Sequence, residues 1–177
     1  MENEEFLKIR KRNLIDLYFH TFDKKKIKID KWLTSKKTII KDGKCIIVNR
    51  TFRYGGFDFP WNKIVNKYSD NILFLGFEDE YNSFIKLYGY VDYVNNSDLI
   101  DIVAYLNGCD LFIGNQSFLH SLAVGLDINS IQETSEFIPN CLFEKNNLYL
   151  TETDEKRKFE NIDKFITKSL DFNKSST

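Results

Sequence analysis

Residues 110–126, DLFIGNQSFLHSLAVGL, run from a short apolar segment through a polar corner into a helical pattern. Four to six apolar residues bounded by polar ones suit a strand buried on both faces, and such strands belong to parallel sheets covered by helices. The corner Gly114, Asn115, Gln116 and Ser117 opens a helix, where the first backbone N–H groups have no partner within the helix. A strand, a polar turn and a helix start together make a place where an anion can be held.

The same unit recurs on both sides. KCIIVN, NILFLG, YVDYV, DINSIQE and NLYLT read as further strands. Between them, Trp61, Ile64, Val65 and Tyr68 follow helical spacing after Asp58 and Pro60. EDEYNSFIKLYG carries acidic residues in its first turn and Gly89 past its end, and Ser97 precedes a helix bearing Leu99, Ile102, Val103 and Leu106. Residues 154–170 form a closing helix through Phe159, Ile162, Phe165 and Ile166. Strands alternating with helices need crossover connections, so the expected fold is α/β: a Rossmann-like, doubly wound, mainly parallel sheet of about six strands flanked by helices. Residues 43–172 make this domain, 173–177 a flexible tail, and 1–42 an amphipathic helix (residues 4–20) followed by a basic connector.

Composition limits the function. With 177 residues and 42 % apolar content the chain can build one core. Its 25 basic and 26 acidic residues leave a net charge of −1, which gives no field to recruit nucleic acid or an anionic membrane. No apolar run is long enough to span a bilayer, and MENEEFLKIRKRN lacks a signal-peptide core, so a cytoplasmic location is expected. Cys45, Cys109 and Cys141 are scattered singly and read as reduced, buried thiols. His20 and His120 are the only histidines, which excludes a multi-histidine metal centre; no metal or cofactor is expected. His120, inside an apolar helix, reads as a packed side chain rather than a general base.

Doubly wound sheets bind ligands beyond the carboxyl ends of their strands, so the corners NRTFRYGG, GFEDE and GNQS become candidate site walls. Gly114, Asn115, Gln116 and Ser117 offer non-titrating donors at a positive helix end, Arg50 and Arg53 a guanidinium clamp, and Glu133 an acceptor for two hydroxyls. Each also has a plainer reading: Asn, Gln and Ser as helix caps, the arginines as surface ion pairs.

The succession IIVNRTFRYGGFDFPWNKIV, ILFLGFEDEY, DLIDIVAYLNGCDLFIGNQSFLHSLAVGL and SIQE, over residues 45–135, resembles the C-terminal half of glycosyltransferases related to the ADP-heptose heptosyltransferases. That family places two Rossmann-like domains face to face in the GT-B arrangement, the C-terminal one holding the nucleotide-sugar donor. The resemblance implies a donor site at Arg50, Thr51, Arg53, Gly114, Asn115, Gln116, Ser117 and Glu133, with a nucleotide sugar as substrate and no metal. Family members often have Asp, Gly and His where this chain has Gln116, Phe118 and Ser121, and a loop lysine where it has Phe57. About forty residues precede the first strand, too few for the acceptor domain that would carry a catalytic carboxylate, so no catalytic residue is assigned.

Two functions follow as expectations. One is glycosyl transfer from a nucleotide-sugar donor, completed by a separate acceptor domain or by self-association. The other is a non-catalytic nucleotide-binding module or a remnant of a longer glycosyltransferase. A phosphate-signalling receiver is disfavoured, because the first strand does not end in an acidic pair.

Overall fold

The structure, a computed structural model, describes residues 31–53, 55, 58–95, 98–134, 147–149 and 155–174. The elements in chain order are β1 (Ile46–Asn49), α1 (Trp61–Tyr68), a 3₁₀ turn (Ser69–Asn71), β2 (Ile72–Leu75) and α2 (Glu78–Tyr88). They continue through β3 (Asp92–Val94), α3 (Leu99–Asn107), β4 (Leu111–Asn115), α4 (Phe118–Gly125), β5 (Ser130–Glu133), β6 (Asn147–Tyr149) and α5 (Glu155–Lys174). All sheet pairings are parallel and the strand order is β3-β2-β1-β4-β5-β6, with three-residue β6 added at one edge. The α/β, doubly wound reading therefore holds.

Two-residue alternation divides the strand side chains between two cores. Ile46, Val48, Ile72, Phe74, Leu111, Ile113 and Ile131 meet α1, α2 and α5 through Trp61, Ile64, Phe84, Ile162 and Ile166. Ile47, Leu73, Leu75 and Phe112 face α3 and α4 through Leu106 and Ala123. Burial of each such aliphatic side chain is worth about 1.5–3 kcal/mol. The aromatic residues Trp61, Phe74, Phe84 and Phe112 are all buried, as their core spacing implies.

Three local features differ from the sequence reading. The cap of α3 is Asp98, whose carboxylate accepts from Ile100 N at 2.7 Å, and not Ser97, which lies outside the described residues. Asp98 stands directly before the first helical residue, and its short carboxylate reaches back to the free N–H groups. Helix α5 runs to Lys174, into the stretch read as a tail. Within the basic connector, the described part lies against the domain: Trp32 N and Leu33 N donate to Gly125 O, Ile39 N donates to Ala104 O, and Lys37 pairs with Asp101. The amphipathic helix over residues 4–20 and Cys141 lie outside the described residues.

Cys45 and Cys109 are free thiols on partly exposed residues rather than fully buried ones. The Cys109 Sγ donates to Leu106 O at 3.1 Å, and burial pushes its pKa up to about 12. The thiolate is the reactive form, so alkylation by iodoacetamide at pH 8 is expected to leave Cys109 largely unmodified in the folded protein and to label it after unfolding. Peptide mass spectrometry reads this directly; rapid labelling of Cys109 in the native chain would contradict it. No helix among the described residues is long and apolar enough to cross a membrane.

Candidate functional site

The strand order reverses between β1 and β4, which pair through Asn49↔Gly114 at their carboxyl ends. At such a reversal the two following connections leave towards opposite faces, opening a crevice at the sheet edge. The NRTFRYGG and GNQS corners both start there. Gly114 is required by the closeness of the strands, since a Cβ on it would stand 2.4 Å from Asn49 O.

Asn115 ties these two corners together. Its side chain is fully buried; Oδ1 accepts from Thr51 N at 3.0 Å and from Thr51 Oγ1 at 3.3 Å, while Nδ2 donates to Thr51 O at 2.8 Å and to Arg53 O. Both ends of the amide are thus used on the β1 corner. Asn115 and Thr51, read from sequence as donor-binding residues, set the shape of the crevice through each other.

Arg50 and Glu133 also meet. Glu133 ends β5, is fully buried, and accepts from Arg50 Nε at 2.9 Å and Arg50 Nη2 at 3.2 Å in a two-pronged pair. Trp61 Nε1 donates to the same carboxylate at 3.0 Å, and the guanidinium carbon lies 5.5 Å from the Tyr88 ring centroid. A Cβ at Gly55 would stand 2.5 Å from Arg50 Nη2, so a glycine there leaves space for the guanidinium. The guanidinium read as a clamp and the carboxylate read as a hydroxyl acceptor are therefore engaged with one another in this structure.

Ser117 is the N-cap of α4, its Oγ accepting from His120 N at 3.3 Å. The first turn of α4 holds no acidic residue, and Gln116 lies half-buried beside the cap. His120 is fully buried and stacked on Phe112 at 5.6 Å, in keeping with a packed side chain. Arg53 is exposed at the β1 corner.

Two side chains that sequence reasoning passed over face this edge from the β2 side. Asn49 is buried at the end of β1, and its Nδ2 donates to Leu75 O at 3.0 Å and weakly to Glu80 Oε2 at 3.5 Å. Its Oδ1 meets no hydrogen-bond donor among the described residues. Glu80 reaches back to Phe77 N at 3.4 Å; burial raises its pKa above the ordinary carboxylate value, against the lowering effect of the Phe77 and Asn49 hydrogen bonds. In the sequence Glu80 carries only the signature of a first-turn acid. The usable hint is Gly76, which leaves room for both groups: a Cβ there would come within 2.7 Å of Asn49 Nδ2 and 3.0 Å of Glu80 Oε2.

No protein-family model matches the sequence, and no curated protein matches it. Solved structures do match the fold. The Escherichia coli heptosyltransferase WaaC with ADP superposes with a TM-score of 0.56 at 13 % identity, over 85 % of this chain and 54 % of that one. WaaC with ADP-2-deoxy-2-fluoro heptose gives 0.53 at 13 % identity, over 84 % and 53 %. The E. coli ADP-heptose lipopolysaccharide heptosyltransferase II gives 0.50 at 10 % identity, over 73 % and 48 %. The chain thus has a glycosyltransferase-like α/β fold and spans about half the length of the heptosyltransferases it resembles.

Proposed function

We propose that the β1/β4 edge binds the diphosphate and sugar of a nucleotide-sugar donor, and that the domain serves glycosyl transfer with an acceptor domain supplied separately. The observation that carries this reading is the convergence at the strand reversal: the β1 corner, tied down by Asn115, lies beside the start of α4, whose first turn holds no acidic residue. A helix start of that kind favours phosphate. The shared fold with structures that contain ADP or an ADP-sugar supports the ligand class.

Within this proposal Arg53 and Gln116 keep the tasks read for them in the sequence, and Arg50, Asn115 and Glu133 change theirs. Arg53, Gln116 and the first N–H groups of α4 meet the diphosphate. Asn49 Oδ1 and the Glu80 carboxylate accept hydrogen bonds from hydroxyls on the donor. Arg50, Glu133 and Asn115 hold the walls. A second reading, a nucleotide-binding module without transferase activity, draws on the pairing of Arg50 with Glu133, which turns both groups towards scaffold rather than substrate.

Calorimetric titration with ADP, UDP, GDP and CMP tests the proposal. Arg53→Ala is expected to weaken the bound nucleotide about tenfold, the effect of losing one charged contact. Ser117→Ala is expected to lower stability by about 1 kcal/mol through its cap, with little change in affinity. Absence of binding by the wild-type chain at millimolar nucleotide overturns the proposal. Binding without transfer, once a heptosyltransferase-type acceptor domain is supplied, favours the second reading.

A further inference from the structure

The sequence places an acid or its amide directly before glycine twice, at Asp42–Gly43 and at Asn107–Gly108. At such a pair the glycine nitrogen can reach the preceding side-chain carbonyl carbon and close a five-membered ring, because no Cβ stands in its way. In an unfolded chain the amide pair reacts faster than the acid pair. The fold treats the two in the opposite order.

Asn107 ends α3 and Gly108 caps it. The Asn107 Nδ2 donates to Thr38 Oγ1 at 2.8 Å and to Lys37 O at 3.3 Å, which holds the side chain against the segment leading into β1. Gly108 N donates to Tyr105 O at 3.1 Å, so the nucleophile is engaged as well. Ile39 O lies only 2.3 Å from where a Gly108 Cβ would stand, and the pair has little room to move.

Asp42 and Gly43 are the two central residues of a turn between Lys41 and Lys44, which form an antiparallel bridge with Lys44 N donating to Lys41 O at 2.8 Å. Both are left-handed, with φ of 49° and 72°, as a hairpin turn of this length requires. Asp42 thus holds a conformation disfavoured for a residue with a Cβ. Both residues are exposed, and a Cβ on Gly43 would meet nothing within 4 Å. Among the described residues neither the Asp42 carboxyl nor the Gly43 N–H has a hydrogen-bond or ion-pair partner. Ring closure needs rotation within the turn, which the Lys44 N to Lys41 O bond opposes and no atom packed on Gly43 does.

We propose that Asp42 is a site of spontaneous isoaspartate formation in the folded protein, and that the fold spares Asn107. The Gly43 nitrogen attacks Asp42 Cγ; its proton and the carboxyl hydroxyl leave together as water, and the product is a cyclic succinimide. Water then adds to one of the two ring carbonyls. Opening at the Asp42 main-chain carbonyl leaves the chain running through Cγ, with the former main-chain carbon as a free carboxylate. One water is lost and one regained, and no oxidant, reductant or enzyme is needed. The extra methylene in the backbone changes the spacing of the Lys41–Lys44 bridge, whose lysines reach β3 at Tyr93 O and at Asp92. This inference does not require a nucleotide to bind.

Holding the full chain for several weeks at neutral pH and body temperature tests it, beside a sample unfolded in guanidinium chloride. Peptide mass spectrometry with electron-transfer fragmentation locates isoaspartate, and methyl transfer from S-adenosylmethionine by an isoaspartyl methyltransferase measures its amount. Circular dichroism confirms which samples are folded. Asp42 is expected to react in the folded chain within about fivefold of its unfolded rate, and Asn107 at least about tenfold below its own, since it reacts only through local opening. Asp42→Glu, whose ring would be six-membered and closes slowly, should remove the signal from folded protein. A folded rate at Asp42 more than about fivefold below the unfolded one overturns the proposal, as does protection of Asn107 by less than about tenfold. Undiminished isoaspartate in folded Asp42→Glu overturns it too.

Discussion

Replacing Glu133 with alanine is expected to lower the unfolding free energy by about 3–5 kcal/mol, the cost of removing one partner from a buried ion pair. The carboxylate is fully buried and serves Arg50 twice and Trp61 Nε1 once, while the Arg50 side chain retains only 19 % of its exposure. Its removal leaves a guanidinium and an indole N–H without their acceptor in an apolar surround. A domain of this size has roughly 5–15 kcal/mol in total, so the variant stands near the edge of folding. Urea unfolding followed by tryptophan fluorescence measures the loss, and the buried Trp61 reports on the site itself. Glu133→Gln keeps the shape and one acceptor oxygen and should lose less. The double change Arg50→Met with Glu133→Leu should recover much of the deficit, because two apolar side chains need no partner. A loss below about 1 kcal/mol in Glu133→Ala would place the pair with exposed salt bridges instead.

That pair also shows where sequence reading stops. Strands β1, β2 and β4 are legible because a strand buried on both faces has to be apolar throughout, and IIV, ILFL and LFI have no other use in a chain of this composition. Helix α1 is legible from the spacing of Trp61, Ile64, Val65 and Tyr68, all of which the structure buries. Pairings between distant residues leave no such trace. Arg50 and Glu133 are 83 positions apart, and Thr51 and Asn115 are 64 apart. Residue type identifies each as a polar group at a strand end, which suits a ligand contact and a structural tie equally. Only the register, Asn49↔Gly114 and Asn115↔Glu133, brings them within reach of one another. Glu80 was obscured for a related reason: an acid in the first turn of a helix has a sufficient local explanation in the helix dipole.

Asn115 is the residue on which shape and binding depend together. Asn115→Ala is expected to cost about 2–3 kcal/mol, because Thr51 N–H, Thr51 C=O and Arg53 C=O all lose their buried partner. Nucleotide affinity should fall with it, since the β1 corner is no longer fixed against α4; an unchanged affinity would separate the corner from the proposed site. Asn115→Asp is the sharper comparison. It retains an oxygen to accept from Thr51 N–H but turns a second, anionic oxygen towards the Thr51 and Arg53 carbonyls, where the amide donates. Ionisation is therefore resisted in the folded state, and the folded pKa of the new aspartate rises above its unfolded value of about 3.9. A raised folded pKa means that the native state binds more protons than the unfolded state between those two values. Stability then falls as pH rises through that window. Asn115→Asp should accordingly unfold more readily than Asn115→Ala at pH 7 and regain stability as the pH is lowered towards 4, where the protonated carboxyl can donate in place of the amide. A stability difference between the two variants that does not change with pH would show that the Asn115 amide is not facing those carbonyls, and with that the tie between the two corners would fail.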